Sequence, residues 1–515
     1  MAATGAQRCR GIGESRLQID HLQPPRRGER RPSPFCCRGK SCEGIRPAVR
    51  LCTGSVRRDH RSGRRENGSR AAGSSGPGSR LLPFRCPVDK TDRDGAGQNG
   101  RHIVGREKFN VVIVGGGSAG IATAASMLKR NKTISLAIID PADDHYYQPG
   151  WTMVGGGAFS AEFTHRKEKD LIPRRAQWIK SAVSSFDPEN SSVATADGQN
   201  ISYDVLIVCP GIKLDWEAID GLPETLGKNG VTSNYRFDLA PYTYRLVKDL
   251  KGGTALFTQP PMPIKCAGAP QKAMYLSCSK WEKQGVLGDI DVQFHNTGAV
   301  LFGVKEYVPA LMEYVERYDV HLNLESKLVA VDGPAQIATF EQKRGEEIKR
   351  VEIKFDMIHV VPPQVAPDFV RSSPLAAESG FVDVDPDTLR HVKYTNIFAL
   401  GDACSAPNAK TMAAVRKQAP VVTVNALAAL EGKPPIADYN GYGSCPLTVE
   451  RGKVVLAEFG YGGKLLPSFP NWLIDGTRPS RLSWLLKDTI LPPVYWHGML
   501  KGREWMVKPH RIGAE

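Results

Sequence analysis

The feature that most constrains the fold is the stretch FNVVIVGGGSAG, residues 109–120. Its apolar run, Val111 to Val114, is typical of a buried parallel strand. Gly115, Gly117 and Gly120 follow directly, with the spacing of a dinucleotide-binding loop that opens a helix. The first glycine allows a tight turn, the second lets a pyrophosphate approach the backbone, and the third lets the helix pack on the strand.

Two further sequence features indicate that this loop is part of a cofactor site. The helix is expected to begin at Ser118 and Ala119, so its free N–H groups would face the phosphates. Asp140 follows Gly120 by twenty residues, at the end of a predicted strand from Ile134 to Ile139. A ribose hydroxyl needs a carboxylate acceptor at that point. The sequence therefore predicts a bound adenine dinucleotide.

The net charge of +14 is concentrated at one end of the chain. Residues 1–105 hold 22 of the 68 basic residues and 9 of the 54 acidic ones, so the remaining residues are close to neutral. A near-neutral body indicates a small-molecule enzyme and excludes a reader of nucleic acid.

Residues 1–105 are rich in Arg, Gly, Ser and Pro, without helical or strand periodicity, and are expected to be disordered. Two interpretations stay open: a basic segment of the transit-peptide type, or a start site placed too early. Six of the eleven cysteines lie there without zinc-type spacing, so no metal site is predicted.

A second α/β unit is expected after residue 240, with strands at 255–258 and 292–296 and helices after Pro270 and over 305–318. It lacks a second glycine-rich phosphate loop, because LFTQPPMPIKCAGAP stands where that loop would be. The sequence therefore predicts that NAD(P)H is not the reductant.

Residues 394–402, YTNIFALGD, form another landmark. A strand there delivers Gly401 and Asp402, and a helix begins near Lys410 and Thr411. In two-domain flavoproteins such an aspartate accepts from the ribityl chain, and the helix N-terminus faces the flavin. Together with the first loop, this pattern predicts FAD.

The segment RPSRLSWLLKDTILPPVYWHGMLKGREWM, residues 478–506, alternates aromatic and leucine residues with basic ones. This composition favours a pair of interfacial helices, broken at Pro492-Pro493, on a membrane surface. The alternative is a helical hairpin packed on the protein's own core.

Two cysteines lie where the flavin is expected. Cys266 follows a strand of the second unit, and Cys404 lies two residues beyond Asp402. A cysteine pair beside a flavin would form a redox relay, with Lys265 and Lys272 near enough to lower a thiol pKa. The alternative is two buried structural cysteines.

From about residue 110 to residue 506 the chain resembles sulfide:quinone oxidoreductases of the two-cysteine type. The motifs that carry this resemblance are VVIVGGGSAGI, HYYQPGWT, PIKCAGAPQKAMYL, FGVKEY, GDACSAPNAKTMAAVRKQ and YNGYGSCPL, with the aromatic C-terminal stretch. Mitochondrial relatives read Gly-Asp-Cys, whereas here Ala403 separates Asp402 from Cys404.

The resemblance implies an α/β fold with two Rossmann-like (doubly wound) domains and a discontinuous FAD domain. It implies FAD-dependent oxidation of hydrogen sulfide to persulfide-level sulfur, with ubiquinone as the expected quinone and sulfite or glutathione as the sulfur acceptor. Cys266 and Cys404 would be the redox pair, and Cys266 would carry the sulfur. The expected location is peripheral: the mitochondrial inner membrane, or the plasma membrane in a bacterium.

The expected domains are an extension over 1–105, an FAD-binding domain over 106–240 and 361–432, a second Rossmann-like domain over 241–360, and a C-terminal quinone and membrane region over 433–515. Three alternatives stay open. They are a type II NADH:quinone dehydrogenase, the soluble flavoprotein of a sulfide-oxidising flavocytochrome, and a non-catalytic flavin-binding scaffold.

Overall fold

The computed structural model describes residues 107–513, so the predictions for residues 1–105 lie outside the described residues. Its first sheet is built around the predicted strand, which covers Glu107–Val114. This strand pairs in parallel with one neighbour on each side. The sheet order is Gln177–Ile179, Leu136–Ile139, Glu107–Val114, Asn200–Val208, Ser192–Thr195 and Val183–Asp187.

A seventh strand, Ile397–Ala399, joins this sheet from nearly 190 residues further along the chain. It pairs in parallel with Asn200–Val208, so Ala399 lies opposite Val208. The first sheet is therefore discontinuous in sequence, as predicted. Because the parallel strands end at one edge, the glycine loop, Asp140 and the Gly401-Asp402 turn all lie at that edge.

Two helices cover this sheet and pack on each other. Ser118–Arg130 follows the glycine loop, and its buried side chains include Ile121 and Met127. Met412–Leu430 is mostly apolar on its buried side, where Gln418, Thr423 and Asn425 are the polar residues. Thr411 caps this helix by accepting from the N–H of Ala414. Both helices direct their N-termini to the edge where the strands end.

The second sheet has five parallel strands, in the order Val231–Thr232, Met357–His359, Gly253–Gln259, Ile290–Asn296 and His321–Leu324. The helices around it are Ala240–Asp249, Ala269–Gln284 and Val308–Arg317. The predicted strands and helices of the second unit are confirmed, and so is the α/β class with two doubly wound sheets.

Two antiparallel units complete the described part. One is the three-stranded sheet of Ser326–Asp332, Ile337–Arg344 and Glu347–Lys354. The other is the hairpin of Gly443–Glu450 and Lys453–Phe459. Leu447 and Val449 of this hairpin share a buried apolar cluster with Trp281 of the helix Ala269–Gln284. The hairpin thus lies against the second sheet's central helix.

The aromatic stretch HYYQPGWTMVGGG is more regular than its glycines suggest. It spans the end of a strand, Asp144–Tyr146, a 3₁₀ turn, Gln148–Gly150, and a short helix, Trp151–Gly155. Pro149 sits in the first turn, where its missing N–H has no helical partner to lose.

The predicted break at Pro492-Pro493 is wrong. Helical structure runs without interruption through Arg481–Leu485, Leu486–Ile490, Leu491–Pro493, Val494–Gly498 and Met499–Lys501. The second and fourth of these pieces are π-type turns. A π-type turn pairs backbone N–H and C=O groups over a wider spacing than an α-turn does. The missing N–H groups of Pro492 and Pro493 therefore leave no helical hydrogen bond unmade, and the helical run continues.

The apolar residues of this helical run divide between the core and the surface. Tyr495, Trp496, Met499 and Leu500 are buried, whereas Leu482, Leu485 and Ile490 are about half exposed. Part of the stretch therefore belongs to the core, and part lies at the protein surface. Within residues 107–513, no helix combines the length and hydropathy needed to cross a bilayer.

Candidate functional site

The loop that carries Cys266 connects the strand Gly253–Gln259 to the helix Ala269–Gln284. Cys266 adopts φ +56°, a left-handed conformation that costs a non-glycine residue about 1–3 kcal/mol. Its N–H donates to the carbonyl of Lys410 at 2.7 Å, and its carbonyl accepts from Ala269 N–H at 2.7 Å. These two bonds hold the strained residue beside the N-terminus of the helix Met412–Leu430.

The cysteine beside Cys266 is Cys445, on the hairpin strand Gly443–Glu450. The two Sγ atoms are 3.1 Å apart. Gly268 makes this approach possible, because a Cβ there would lie 2.6 Å from the Cys445 Sγ and 2.4 Å from a Leu447 methyl. Cys445 is buried, and Cys266 is partly exposed.

This finding corrects the expected pairing of Cys266 with Cys404. Cys404 is fully buried in the core of the first sheet, where its thiol donates to the carbonyl of Gly401 at 3.3 Å. Its backbone forms a bridge with Val382. Ala403 separates Asp402 from Cys404, and the structure places the Cys404 thiol in this core and not at Cys266.

Two buried lysines lie at the thiol pair. Lys272, on the first turns of the helix Ala269–Gln284, places Nζ 3.0 Å from the Cys266 Sγ. Lys487 comes from the C-terminal helical run, and its Nζ donates to the carbonyl of Pro446 at 2.9 Å. Both side chains are more than nine-tenths buried. The run thus reaches the residue next to Cys445.

These contacts give the thiols of Cys266 and Cys445 opposite pKa shifts. The hydrogen bond from Cys445 and the charge of Lys272 outweigh burial and hold the pKa of Cys266 well below its ordinary value. The same hydrogen bond, together with burial, raises the pKa of Cys445 well above the ordinary value. Burial and the charge of Lys272 lower the pKa of Lys487. The pair is therefore a Cys266 thiolate that accepts a hydrogen bond from the Cys445 thiol.

The glycine loop has the open geometry that a pyrophosphate needs. Gly115 has φ +110°, and a Cβ on Gly120 would lie 1.9 Å from the Gly115 carbonyl oxygen, so both positions require glycine. A Cβ on Gly117 would meet no atom within 4 Å, which leaves space at the N-terminus of the helix. The Asp140 carboxylate closes the loop by accepting from Gly116 N–H at 2.5 Å.

The second cofactor landmark lies against the first. Gly401 has φ +74°, and its ideal Cβ position is 3.5 Å from the Cβ of Ala119. Lys410 is buried and donates to the carbonyls of Asp402 and Cys404, both at 2.9 Å. Burial raises the pKa of Asp402. The predicted cofactor residues are thus collected at one edge, beside Cys266.

A buried hydrogen-bonded chain joins the C-terminal helical run to the glycine loop. The Tyr495 hydroxyl lies 2.7 Å from the Ser118 hydroxyl and 2.5 Å from Nε2 of His145. His145 Nδ1 lies 2.9 Å from Glu168 Oε2. The other oxygen of Glu168 is buried without a partner among the described residues and faces Gly116. This orphaned acceptor at the loop fits a cofactor hydroxyl.

The second unit offers no open phosphate site at the corresponding place. The N-terminus of the helix Ala269–Gln284 is covered by the hairpin through Gly268, Cys445 and Leu447. The thiol pair therefore lies where a nicotinamide dinucleotide would place its phosphates. Cys209 and Cys278 are buried, and burial raises the pKa of both thiols.

Sequence reasoning missed four residues of this site: Gly268, Cys445, Lys487 and Glu168. Cys445 was available in the motif YNGYGSCPL, but nothing local shows that a strand 179 residues away returns to Cys266. Lys487 is one of the basic residues of the stretch 478–506, and its burial could not be expected because lysine side chains are almost always exposed.

The chain is similar in sequence to several known proteins. No protein-family model matches the chain. The mitochondrial sulfide:quinone oxidoreductase of Dictyostelium discoideum is 42% identical over 401 residues, covering 77% of this chain and 87% of that protein. The mitochondrial sulfide:quinone oxidoreductase of Mus musculus is 39% identical over 399 residues, with the same coverage.

The chain belongs to the sulfide:quinone oxidoreductase family. As a member of the sulfide:quinone oxidoreductases it is a flavoprotein enzyme, and its cofactor is FAD. The crystal structure of the sulfide:quinone oxidoreductase from Aquifex aeolicus has the same fold, with a TM-score of 0.65 and 17% identity. The match covers 79% of this chain and 96% of that one.

Proposed function

We propose that this enzyme oxidises hydrogen sulfide to persulfide-level sulfur through Cys266 and Cys445 and passes the electrons through FAD to a quinone. The observation that carries the proposal is the 3.1 Å approach of the two Sγ atoms beside the predicted flavin edge. A disulfide requires about 2.05 Å, so closing the bond takes a shift of about 1 Å. Bound FAD would accept two electrons from the thiol pair and deliver them to the quinone.

Hydrosulfide enters the cycle by attacking the Cys266–Cys445 disulfide. Its sulfur forms a bond to one cysteine, the disulfide bond breaks, and the other cysteine leaves as a thiolate. A nucleophile then removes the outer sulfur, and loss of two electrons from the remaining thiol pair restores the disulfide. Sulfite or glutathione has the nucleophilic sulfur required of that acceptor.

The unequal thiol pKa values favour one order of events. A thiol of lower pKa leaves faster, so Cys266 is the leaving thiolate and Cys445 receives the incoming sulfur. This order replaces the sequence-based assignment of the sulfur to Cys266. It also leaves Cys266, the cysteine next to Lys410 and Asp402, to deliver electrons.

The lysines stabilise the negative charge that moves through this cycle. Lys272 keeps its proton, because the negative charge at Cys266 raises its pKa against the effect of burial. Lys487, whose pKa is lowered, is suited to take the proton that hydrosulfide or Cys445 releases. The N-terminus of the helix Ala269–Gln284 adds a partial positive charge at the same place.

The exposed leucines and tryptophan of residues 482–505 support a peripheral position on a membrane, where a quinone is available. In the mitochondrion this would be the inner membrane.

The decisive experiment compares sulfide and NADH as donors for quinone reduction by the purified holoenzyme. We expect rapid quinone reduction with sulfide and none with NADH, because the second phosphate site is covered. Mass spectrometry after one sulfide turnover without an acceptor should find the added sulfur on Cys445. Its presence on Cys266, the more exposed cysteine, would show that access and not leaving-group pKa decides the order. Efficient NADH oxidation would contradict the whole assignment.

A further inference from the structure

A basic groove lies between the end of the helix Ser118–Arg130 and residues 503–511. Its volume is about 680 Å³, and five of its lining side chains are cationic: Lys129, Arg130, Arg503, Lys508 and Arg511. One carboxylate, Glu504, is also present. The volume is in the range of small-ligand sites, about 300–1,000 Å³.

Glu504 neutralises only one of these cations. Its carboxylate binds Arg130 through two hydrogen bonds of 2.8 and 2.6 Å and also accepts from Ser126 at 2.6 Å. Among residues 107–513, the other four cations have no carboxylate within ion-pair distance. Like charges around one concave surface repel each other unless an anion binds between them, so the groove has the charge of an anion site.

The surroundings of the groove show what kind of anion fits. Trp505, Met506 and Ile512 are 51%, 67% and 51% exposed, and they alternate in sequence with Arg503, Lys508 and Arg511. Tryptophan beside arginine and lysine is typical of the boundary between lipid headgroups and acyl chains. A soluble anion gives no reason for the exposed apolar side chains, whereas an anion attached to an acyl chain does.

We propose that this groove binds the phosphate headgroup of an anionic phospholipid, with Trp505 and Met506 entering the adjoining apolar layer. The proposal rests on the membrane position given under the proposed function and adds the chemical class of lipid. Arginine forks of Arg503 and Arg511 would hold phosphate oxygens in pairs, and Lys508 would contribute a point charge. The site would fix one orientation of the enzyme on the surface, because the groove lies at one end of the helix Ser118–Arg130.

The test measures vesicle binding of the full chain with intact FAD. Vesicles of phosphatidylcholine are compared with vesicles that also contain phosphatidylglycerol, for the native protein and for the variant Arg503→Gln/Lys508→Gln/Arg511→Gln. Each basic residue near an anionic surface contributes roughly fivefold in affinity, so the variant should lose about a hundredfold on anionic vesicles. Binding to phosphatidylcholine should change little, and sulfide-driven reduction of a soluble quinone should be unchanged.

A matched control removes the same charge elsewhere. The exposed lysines Lys251, Lys349 and Lys354 are changed to glutamine, which should cost much less affinity for anionic vesicles than the groove variant. The basic residues of 1–105 are the same in every protein, so their contribution cancels in the comparison. Equal losses in the two variants would overturn the proposal, because overall charge would then explain the binding.

Two further results would also overturn it. If the native protein binds inorganic phosphate without vesicles and the groove variant loses that binding, while both bind anionic vesicles equally, the groove is a site for soluble phosphate. If the native protein binds both kinds of vesicle equally, the result supports the membrane position but contradicts the headgroup site. If the native protein binds neither kind of vesicle, the membrane position and the headgroup site are both contradicted. Sulfide oxidation with a soluble quinone still tests the proposed reaction independently.

Discussion

Nζ of Lys272 lies 3.0 Å from Sγ of Cys266, and both residues belong to one short segment at the start of the helix Ala269–Gln284. The charge that stabilises the thiolate is therefore fixed by local helix geometry and does not depend on how the hairpin packs. Cys445, in contrast, arrives from a distant strand. The Cys266 thiolate therefore depends on a hydrogen bond from Cys445, which tertiary structure supplies, and on the local charge of Lys272.

Serine substitutions distinguish the proposed redox pair, Cys266 and Cys445, from the pair that the sequence predicts, Cys266 and Cys404. Cys266→Ser and Cys445→Ser should each slow sulfide-dependent flavin reduction by about 10³-fold or more, because either change removes the disulfide. Cys404→Ser should keep flavin reduction within a few-fold, since its thiol is buried in the core of the first sheet and donates its hydrogen bond to the Gly401 carbonyl. Stopped-flow absorbance of bound FAD measures this directly. Normal reduction in Cys445→Ser would rule out the pairing proposed here.

Replacing Lys272 should change the acidity of Cys266. In the native enzyme the lowered pKa keeps Cys266 a thiolate as the pH falls, until the pH passes through that lowered value. Lys272→Met removes the neighbouring charge, so the pKa should rise toward the ordinary value of about 8.5. The alkylation rate of Cys266 with iodoacetamide, measured against pH, should therefore show its midpoint at higher pH.

Lys487→Met is the matched control for this shift. Lys487 donates to the Pro446 carbonyl and not to the Cys266 sulfur, so the midpoint should move less than in Lys272→Met. A larger shift in the control would show that the C-terminal helical run, and not the local helix, sets the acidity of Cys266.

Gly268→Ala should separate the two thiols without disturbing the flavin site. The added methyl would lie 2.4 Å from Leu447 and 2.6 Å from the Cys445 sulfur, so the hairpin must move away. We expect intact FAD content, with sulfide-dependent flavin reduction slowed at least tenfold in stopped-flow traces, about 1.4 kcal/mol in the barrier. Gly303→Ala is the comparison, because a Cβ there meets no atom within 4 Å. Unchanged rates in Gly268→Ala would mean that the close packing is not needed for turnover.

Tyr495→Phe should destabilise the protein, because it leaves Ser118 and His145 without their shared hydroxyl partner in a buried place. The expected loss in the free energy of unfolding is about 1–3 kcal/mol. Urea unfolding followed by flavin fluorescence should show it together with earlier release of FAD. Tyr394→Phe, which loses only surface contacts with Glu189 and Lys393, should cost less than about 0.5 kcal/mol. Equal effects in the two variants would argue against the buried chain.

The sequence predicts those features of the fold and the site that neighbouring residues in the chain determine. The strand Glu107–Val114, its glycine loop and the Thr411 cap carry their signals within a dozen residues, and the structure places them as expected. Cys445 and Lys487 could not be assigned in this way, because their positions depend on how the hairpin and the C-terminal helical run pack against Gly268 and Pro446. The closeness of Cys404 to Asp402 along the chain favours a pairing with Cys266, but chain distance does not show that its thiol points into the core of the first sheet.

The C-terminal helical run touches both halves of the catalytic centre. Lys487 reaches the thiol loop, and Tyr495, eight residues later, reaches the glycine loop. Insertion or deletion of a single residue between them would rotate one side chain by about 100° relative to the other and break one of the contacts. Leu485, Thr489 and Ile490 are exposed and free to vary, but the length of this stretch is not. Relatives that differ in these surface residues should therefore keep the number of residues between the lysine and the tyrosine constant. The length of this stretch should be conserved together with the active site, so the stretch cannot be exchanged for an unrelated helix.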